Sequence, residues 1–141
     1  MIRILRLITT NNNRNLTAAG NRTAMITPDG KTITYSYDFN NLLTQINTEL
    51  GNFTFAYDAN NRRTTRTLPN GTTSTYSYDN ASRLTSIQTT KNSTTIDNIT
   101  YTLDNVGTRT AKTQNANSYD YSYDAIYRLM QATPSSGNPE T

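Results

Sequence analysis

Tyr76-Ser-Tyr-Asp-Asn-Ala-Ser-Arg-Leu-Thr85 is the segment from which the fold of this chain can be predicted. Before Asp79, large side chains alternate with small polar ones, and a period of two is typical of a β-strand with one large-residue face. Asp79 opens a turn, because its carboxylate can accept backbone N–H groups two residues further on. The residues from Arg83 onward then form a return strand, so this stretch predicts a β-hairpin.

The same pattern recurs along the chain, as Tyr35-Ser-Tyr-Asp38, Phe53-Thr-Phe-Ala-Tyr-Asp58, Tyr101-Thr-Leu-Asp104 and Tyr121-Ser-Tyr-Asp124. Successive turn aspartates are 20, 21, 25 and 20 residues apart. Three residues after the Asp stand Asn41, Asn61, Ser82, Gly107 and Tyr127. Asn and Gly tolerate a positive φ, so we expect the third place to adopt it. An earlier, worn copy is predicted at 11–17, with Asn in place of Asp.

A second set of turns joins one hairpin to the next. Pro28-Asp-Gly30 and Pro69-Asn-Gly71 fit tight turns in which Pro fixes φ and Gly supplies a positive φ, and Leu50-Gly-Asn52 and Asn115-Ala-Asn117 take the same place. The stretch Thr89–Thr95, inside the longest interval, is interpreted as a lengthened loop. Two short strands and two turns account for about twenty residues.

The predicted fold class is therefore all-β: an antiparallel meander of about ten to twelve short strands that forms an open, twisted or curled sheet. We expect one array over residues 1–131, with copies centred near 11–17, 35–44, 53–64, 76–85, 99–110 and 119–130. Met1–Ile8 is interpreted as a truncated strand of an earlier repeat, and residues 132–141 as a flexible tail.

Composition excludes most catalytic chemistry. The chain has no Cys and no His, which removes thiolate nucleophiles, imidazole bases and Cys or His metal ligands. Aspartates of neighbouring repeats lie about 9–10 Å apart, two strand spacings, which is too far to share one calcium ion. We therefore predict a protein that is not an enzyme and has no catalytic residue, no cofactor and no metal site.

Charge and hydropathy limit the classes of partner that the chain is expected to have. A net charge of +3 is weak evidence for nucleic acid, because a dedicated binder usually clusters its charge. No apolar run is long enough to span a membrane. Arg3 and Arg6 interrupt the apolar start of the chain, so no signal peptide is predicted.

The repeated motif resembles the YD repeat of the Rhs/YD-repeat family, whose unit reads Tyr-x-Tyr-Asp-x-x-Gly-Arg-Leu-Thr. The copy at Tyr76–Thr85 departs only at Ser82, which takes the Gly place. The family includes bacterial Rhs proteins, insecticidal toxin-complex shells and teneurins. The resemblance implies a segment of a β-cocoon shell that encloses or presents a toxin or effector domain, in a secreted or cell-surface parent protein.

The resemblance implies a structural role for the repeat residues, and expected partners are further repeats, a second copy through the sheet edges, or a toxin cargo. The structural motif comprises Tyr35, Tyr37, Asp38, Tyr57, Asp58, Arg62, Tyr76, Tyr78, Asp79, Arg83, Tyr101, Asp104, Gly107, Tyr121, Tyr123, Asp124 and Arg128. The alternative is a cell-surface adhesin that binds glycans through Arg62, Arg83 and Arg128 beside the Tyr ladder. Each of these arginines also lies close enough in sequence to pair with the Asp of its own turn.

Overall fold

The structure, a computed structural model, describes residues 15–136. Every regular element among them is a β-strand, and the strand pairs are antiparallel. This confirms the predicted all-β meander. The strands are β1 Ala24–Ile26, β2 Thr32–Tyr37, β3 Leu43–Thr48, β4 Gly51–Tyr57, β5 Arg63–Thr67, β6 Thr73–Tyr78, β7 Leu84–Lys91, β8 Thr94–Leu103, β9 Arg109–Gln114, β10 Asn117–Tyr123 and β11 Leu129–Ser136.

The chain divides into two compact units, Met1–Thr54 and Phe55–Thr141. In the first unit β1, β2, β3 and the start of β4 pair in chain order. Tyr35 lies opposite Ile46, and Ile46 lies opposite Phe53. Along β2 the exposed and half-buried residues alternate, so the period of two in the sequence is the alternation of the two faces.

The second unit repeats this arrangement over β5 to β11, again in chain order. Ile87 lies between Tyr76 of β6 and Ile99 of β8 on the same face. Among the residues that the structure describes, no apolar residue is fully buried, and Ser74, 2% exposed, is the one buried polar residue. The residues of the large-residue face, such as Tyr76 and Ile87, are thus half-buried and not fully buried.

The turns at Thr27 and Leu68 use the same design as the turns that begin with an Asp. Gly30 N donates to Thr27 O, and Thr27 N donates to Lys31 O, at 2.9 and 2.8 Å. This is a type I turn followed by a residue with positive φ, here Gly30 at +84°. The turn around Pro69 has the same bonds, with Gly71 at φ +80°. Both predicted Pro-x-Gly turns are present.

The predicted loop at Thr89–Thr95 is wrong. β7 continues to Lys91, β8 starts at Thr94, and Lys91 lies opposite Thr94. Asn92 and Ser93 alone form the turn, with φ of 49° and 64°. The extra residues of this interval lengthen the two strands, because Thr pairs well across strands and a two-residue turn with positive φ closes them.

The two ends of the predicted array fall partly outside the described residues. Met1–Ile8 and positions 11–14 of the earliest copy lie there, as do residues 137–141 of the tail. The first described turn of the repeat type is at Thr17, whose N–H donates to Asn21 O at 2.8 Å. At the other end β11 reaches Ser136, because Ala132 and Pro134 lie opposite Tyr121 and Tyr119 of β10. The strand therefore includes the first part of the segment expected to be a tail.

Candidate functional site: the Asp turns and their links between repeats

Each turn aspartate organises its own corner through one carboxylate oxygen. Asp79 Oδ1 accepts the N–H groups of Ala81 and Arg83, both at 2.9 Å. The backbone closes the same corner, since Asp79 N donates to Arg83 O and Ser82 N donates to Asp79 O, both at 3.0 Å. The same pair of carboxylate bonds, between 2.8 and 3.0 Å, occurs at Asp38, Asp58, Asp104 and Asp124.

The third residue after each turn aspartate has a positive φ, as predicted for Asn and Gly. Asn41 and Asn61 have φ of 62°, and Gly107 has 95°. Ser82 and Tyr127 take the same conformation, at 63° and 61°. A left-handed backbone is costly for a side chain without an amide that bonds locally. The corner hydrogen bonds therefore impose this geometry even where the residue does not favour it.

Three arginines bind the aspartate of their own turn. Arg62 Nε lies 2.7 Å from Asp58 Oδ2, and Arg83 Nε lies 2.6 Å from Asp79 Oδ2. Arg128 Nε lies 2.6 Å from Asp124 Oδ2. Each aspartate thus uses one oxygen for the backbone and the other for a guanidinium.

These bonds keep three carboxyl groups ionised. For Asp79 and Asp124, the largest cause of the lowered pKa is the backbone N–H of Arg83 and Arg128, respectively, which donates to the carboxylate. For Asp58 the largest single influence is desolvation, which raises the pKa, but the hydrogen bonds from Arg62 outweigh it and the pKa is lowered. The corners are therefore built to hold a charged carboxylate.

Two of these arginines also reach the next repeat. Arg62 Nη1 donates to Asp79 O at 3.1 Å and to Ser82 Oγ at 3.2 Å. Arg83 Nη1 donates to Asp104 O at 2.8 Å. One guanidinium therefore ties its own turn to the backbone of the following turn.

A tyrosine hydroxyl makes the return connection. Tyr78 OH donates to Arg63 O at 2.9 Å, and Tyr123 OH donates to Arg109 O at 2.8 Å. Tyr37 OH donates to Arg22 O at 2.9 Å in the first unit. In each case the Tyr stands directly before the turn aspartate of its own repeat. Its hydroxyl donates to the carbonyl of the residue five places after the first residue of the previous turn. Neighbouring repeats are thus joined in both directions.

Arginine side chains also cover the tyrosine rings. The Arg62 guanidinium carbon lies 4.8 Å from the centre of the Tyr78 ring. Arg63 lies 4.7 Å from Tyr76 in the same way, and Arg109 lies 4.1 Å from Tyr101. Such contacts are typical cation–π interactions, and they cover part of the large-residue face.

The structure thus places the predicted motif residues at the corners and on the large-residue face, and their pattern of bonds joins repeats. The predicted pairing of Arg62, Arg83 and Arg128 with their own aspartates is present. Their role in glycan binding stays a prediction. Among residues 15–136 no group of three acidic side chains is placed to hold a metal ion, and no helix there is of a kind that crosses a membrane.

Two features are not predicted from the sequence, and a third follows only from the spacing of the repeats. The carbonyl acceptors of Arg63 and Arg109 are backbone atoms and leave no trace in residue type. The turn at Thr17 has a visible signal, because Gly20 stands at its third place with φ of 82° and Thr17 Oγ1 accepts Asn21 N at 3.1 Å. The positive φ of Tyr127 has no signal other than its position in the repeat.

Comparison with known proteins agrees with this geometry. Three overlapping stretches, residues 17–52, 39–73 and 57–95, match the family described as RHS Repeat.

The chain belongs to the RHS repeat family.

Solved structures share the fold. A Photorhabdus luminescens Tc holotoxin pore with a mutation in TccC3 is 20% identical, covers 84% of this chain and has a TM-score of 0.73. TcdB2-TccC3-Cdc42 is also 20% identical, with 82% of this chain covered and a TM-score of 0.72. TcdB2-TccC3 without its hypervariable C-terminal region is 21% identical, with 82% covered and a TM-score of 0.70.

This chain spans 6% of the length of those three structures. At such identity the likeness shows a shared fold. No curated protein matches the sequence.

Proposed function

We propose that this RHS repeat chain is a scaffold segment of a longer shell, and that the shell encloses or presents a toxin or effector domain in a secreted or cell-surface protein. The observation that carries this proposal is the two-way link between repeats. The Asp79 carboxylate is bound by Arg83 of its own turn. Arg83 and Tyr78 in turn donate to backbone carbonyls of neighbouring repeats, and Arg62 donates to the carbonyl of Asp79. The charged and hydroxyl groups of the corners therefore hold neighbouring strands in order.

The last described repeat supports continuation. Arg128 binds Asp124, but its side chain is 74% exposed, whereas Arg62 and Arg83 extend to the next turn. Leu129 takes the place of Arg63 and Arg109, whose carbonyls accept a tyrosine hydroxyl. Leu129 and Met130 are also exposed apolar residues at the last strand. A further Tyr-x-Tyr-Asp hairpin would bring a tyrosine hydroxyl to the carbonyl of Leu129 and an aspartate carbonyl to Arg128. Its first strand would pair with β11.

Burial supports the same proposal. A repeat unit that cannot bury its own apolar face depends on its neighbours. The described residues include no fully buried apolar side chain, so this segment leaves part of its apolar face uncovered. A shell that continues on both sides supplies the missing contacts.

The proposal is tested on the full-length gene product with its flanking sequence. Electron cryomicroscopy is expected to show further hairpins beside β11 and a sheet that surrounds a separate domain. Limited proteolysis is expected to cut that domain much more slowly in the intact protein than when the same domain is expressed alone. Flanks without hairpin repeats, or equal cleavage of the enclosed and the isolated domain, contradict the proposal.

A further inference from the structure

Asn70 is the one asparagine of the sequence that is followed by a glycine. Asn70 and Gly71 lie in the turn between β5 and β6, and both are exposed. Apart from the chain neighbours of Gly71, no heavy atom lies within 4 Å of the place where its Cβ would stand. Glycine leaves its peptide nitrogen accessible, because it has no side chain. An asparagine amide can react with the next peptide nitrogen, and this turn gives that reaction the most room.

The turn folds the Asn70 side chain back over Gly71. Thr72 N donates to Asn70 Oδ1 at 3.0 Å, which closes an Asx-turn. The ring that this bond completes contains Gly71, so Asn70 Cγ cannot turn far from the Gly71 nitrogen. No residue in the part of the chain that the structure describes accepts a hydrogen bond from Asn70 Nδ2. The amide group that would leave therefore faces solvent.

Backbone hydrogen bonds restrain the attacking nitrogen. Gly71 N donates to Leu68 O at 3.0 Å, and Leu68 N donates to Thr72 O at 2.8 Å. Gly71 N must be released before it can react, and exposed turns open locally at a small cost in free energy. Opening does not separate the two reacting groups, because Asn70 and Gly71 are covalently adjacent. The fold therefore slows the reaction without preventing it.

The turn at Asp29 shows that a carboxylate fits at the place of Asn70. Asp29 and Asn70 each follow a proline and precede a glycine, and Gly30 and Gly71 have φ of 84° and 80°. The Asp29 carboxylate lies 3.4 Å from Lys31 Nζ at the surface of the molecule. A turn of this design is therefore compatible with the negative charge that the reaction would create at position 70.

We propose that Asn70 is a site of spontaneous deamidation, which converts it to aspartate and isoaspartate. A base removes the Gly71 N–H proton, and the nitrogen forms a bond to Asn70 Cγ. The bond from Cγ to Nδ2 breaks, and Nδ2 leaves as ammonia with protons from water and from its own amide. Water then opens the resulting succinimide ring, giving aspartate by attack at Cγ and isoaspartate by attack at the backbone carbonyl carbon. One water is consumed and one ammonia is released, so the net charge falls from +3 by one unit. The inference does not depend on the shell proposal.

The test incubates the full chain in mildly alkaline buffer, once folded and once unfolded in urea. Samples taken over time are digested with trypsin and analysed by liquid chromatography and mass spectrometry. The peptide 67–83 is expected to gain the mass difference between an amide and a carboxyl group and to separate into two products. Asn70→Asp supplies the standard for the aspartate product, and fragmentation distinguishes Asn70 from Asn80. Isoelectric focusing is expected to show a form with one positive charge fewer.

Asn92 is the internal control, because it also lies in an exposed turn but is followed by Ser93. It is expected to keep its amide while Asn70 reacts. Gly71→Asn is expected to slow the conversion several-fold, since it adds a side chain beside the nitrogen and Asn tolerates a positive φ, as Asn41 does. A urea midpoint close to that of the unmodified chain shows that this variant is folded.

Three results would overturn the proposal. The first is an intact Asn70 in the folded chain at the time when Asn70 in urea has reacted completely. The second is conversion of Asn92 as fast as that of Asn70. The third is an unchanged rate in folded Gly71→Asn.

Discussion

The tyrosine hydroxyl that joins neighbouring repeats can be tested by removing one oxygen atom. Tyr78→Phe deletes the bond from Tyr78 OH to Arg63 O, 2.9 Å long, and keeps the ring under Arg62. A net intramolecular hydrogen bond contributes about 0.5–1.5 kcal/mol. The carbonyl of Arg63 also loses its side-chain partner, so we expect the free energy of unfolding to fall by about 1 kcal/mol.

The matched control is Tyr76→Phe, two residues earlier on the same strand and the same face. Tyr76 also lies under an arginine, at 4.7 Å, but its hydroxyl makes none of the hydrogen bonds between repeats. Its loss is expected to change the free energy of unfolding by less than about 0.5 kcal/mol, as for a surface substitution. The difference between the two variants isolates the bond to the neighbouring repeat.

Urea unfolding monitored by circular dichroism measures both variants, and thermal unfolding provides a second readout. For a chain of this size a loss of about 1 kcal/mol lowers the melting temperature by roughly 2–5 °C. Tyr123→Phe, which removes the equivalent bond to Arg109, is expected to add to Tyr78→Phe, because the two sites share no partner. Equal stability of Tyr78→Phe and Tyr76→Phe would refute the assignment of the hydroxyl as a link between repeats.

Four further predictions concern the corners. Because the pKa of Asp79 is lowered in the folded protein, its contribution to stability is present above about pH 4 and is lost as pH falls through the folded pKa. Asp79→Asn is expected to flatten the fall in urea midpoint below about pH 4, and an unchanged profile contradicts this. Tyr127→Asn is expected to stabilise the chain by about 0.5–1 kcal/mol, because Asn accepts the φ of 61° at lower cost; Tyr127→Ala, which keeps the strain, is the control in urea unfolding. Gly107→Ala is expected to destabilise by about 1–2 kcal/mol, since φ is +95° and the new Cβ lies 3.4 Å from Arg83 Cδ; a melting temperature equal to that of wild type excludes this cost. Arg62→Ala with Arg83→Ala is expected to lower the unfolding midpoint, because it removes the bonds to the next turn. The unmodified chain is expected not to be retained on a heparin column at low salt, and retention that is lost in this variant with an intact fold would instead favour the adhesin alternative.

The hydrogen bonds within each Asp turn are predictable from the sequence, because they join residues that are close along the chain. Asp79, the residue three places later and Arg83 lie within one turn, so their mutual bonds follow from spacing alone. The strand alternation is equally local, since it depends on a period of two. Thr89–Thr95 marks the limit: polar composition suggested a loop, but Thr is also a good strand residue, and pairing of Lys91 with Thr94 decided between the two.

Residue types and their spacing are enough to predict that each repeat of about twenty residues folds back at an aspartate and places its rings on one face. The atoms that connect one repeat to the next can be identified only in the folded structure. The acceptors of Tyr78 and Arg83 are carbonyl oxygens, which every residue carries, so only strand register selects them.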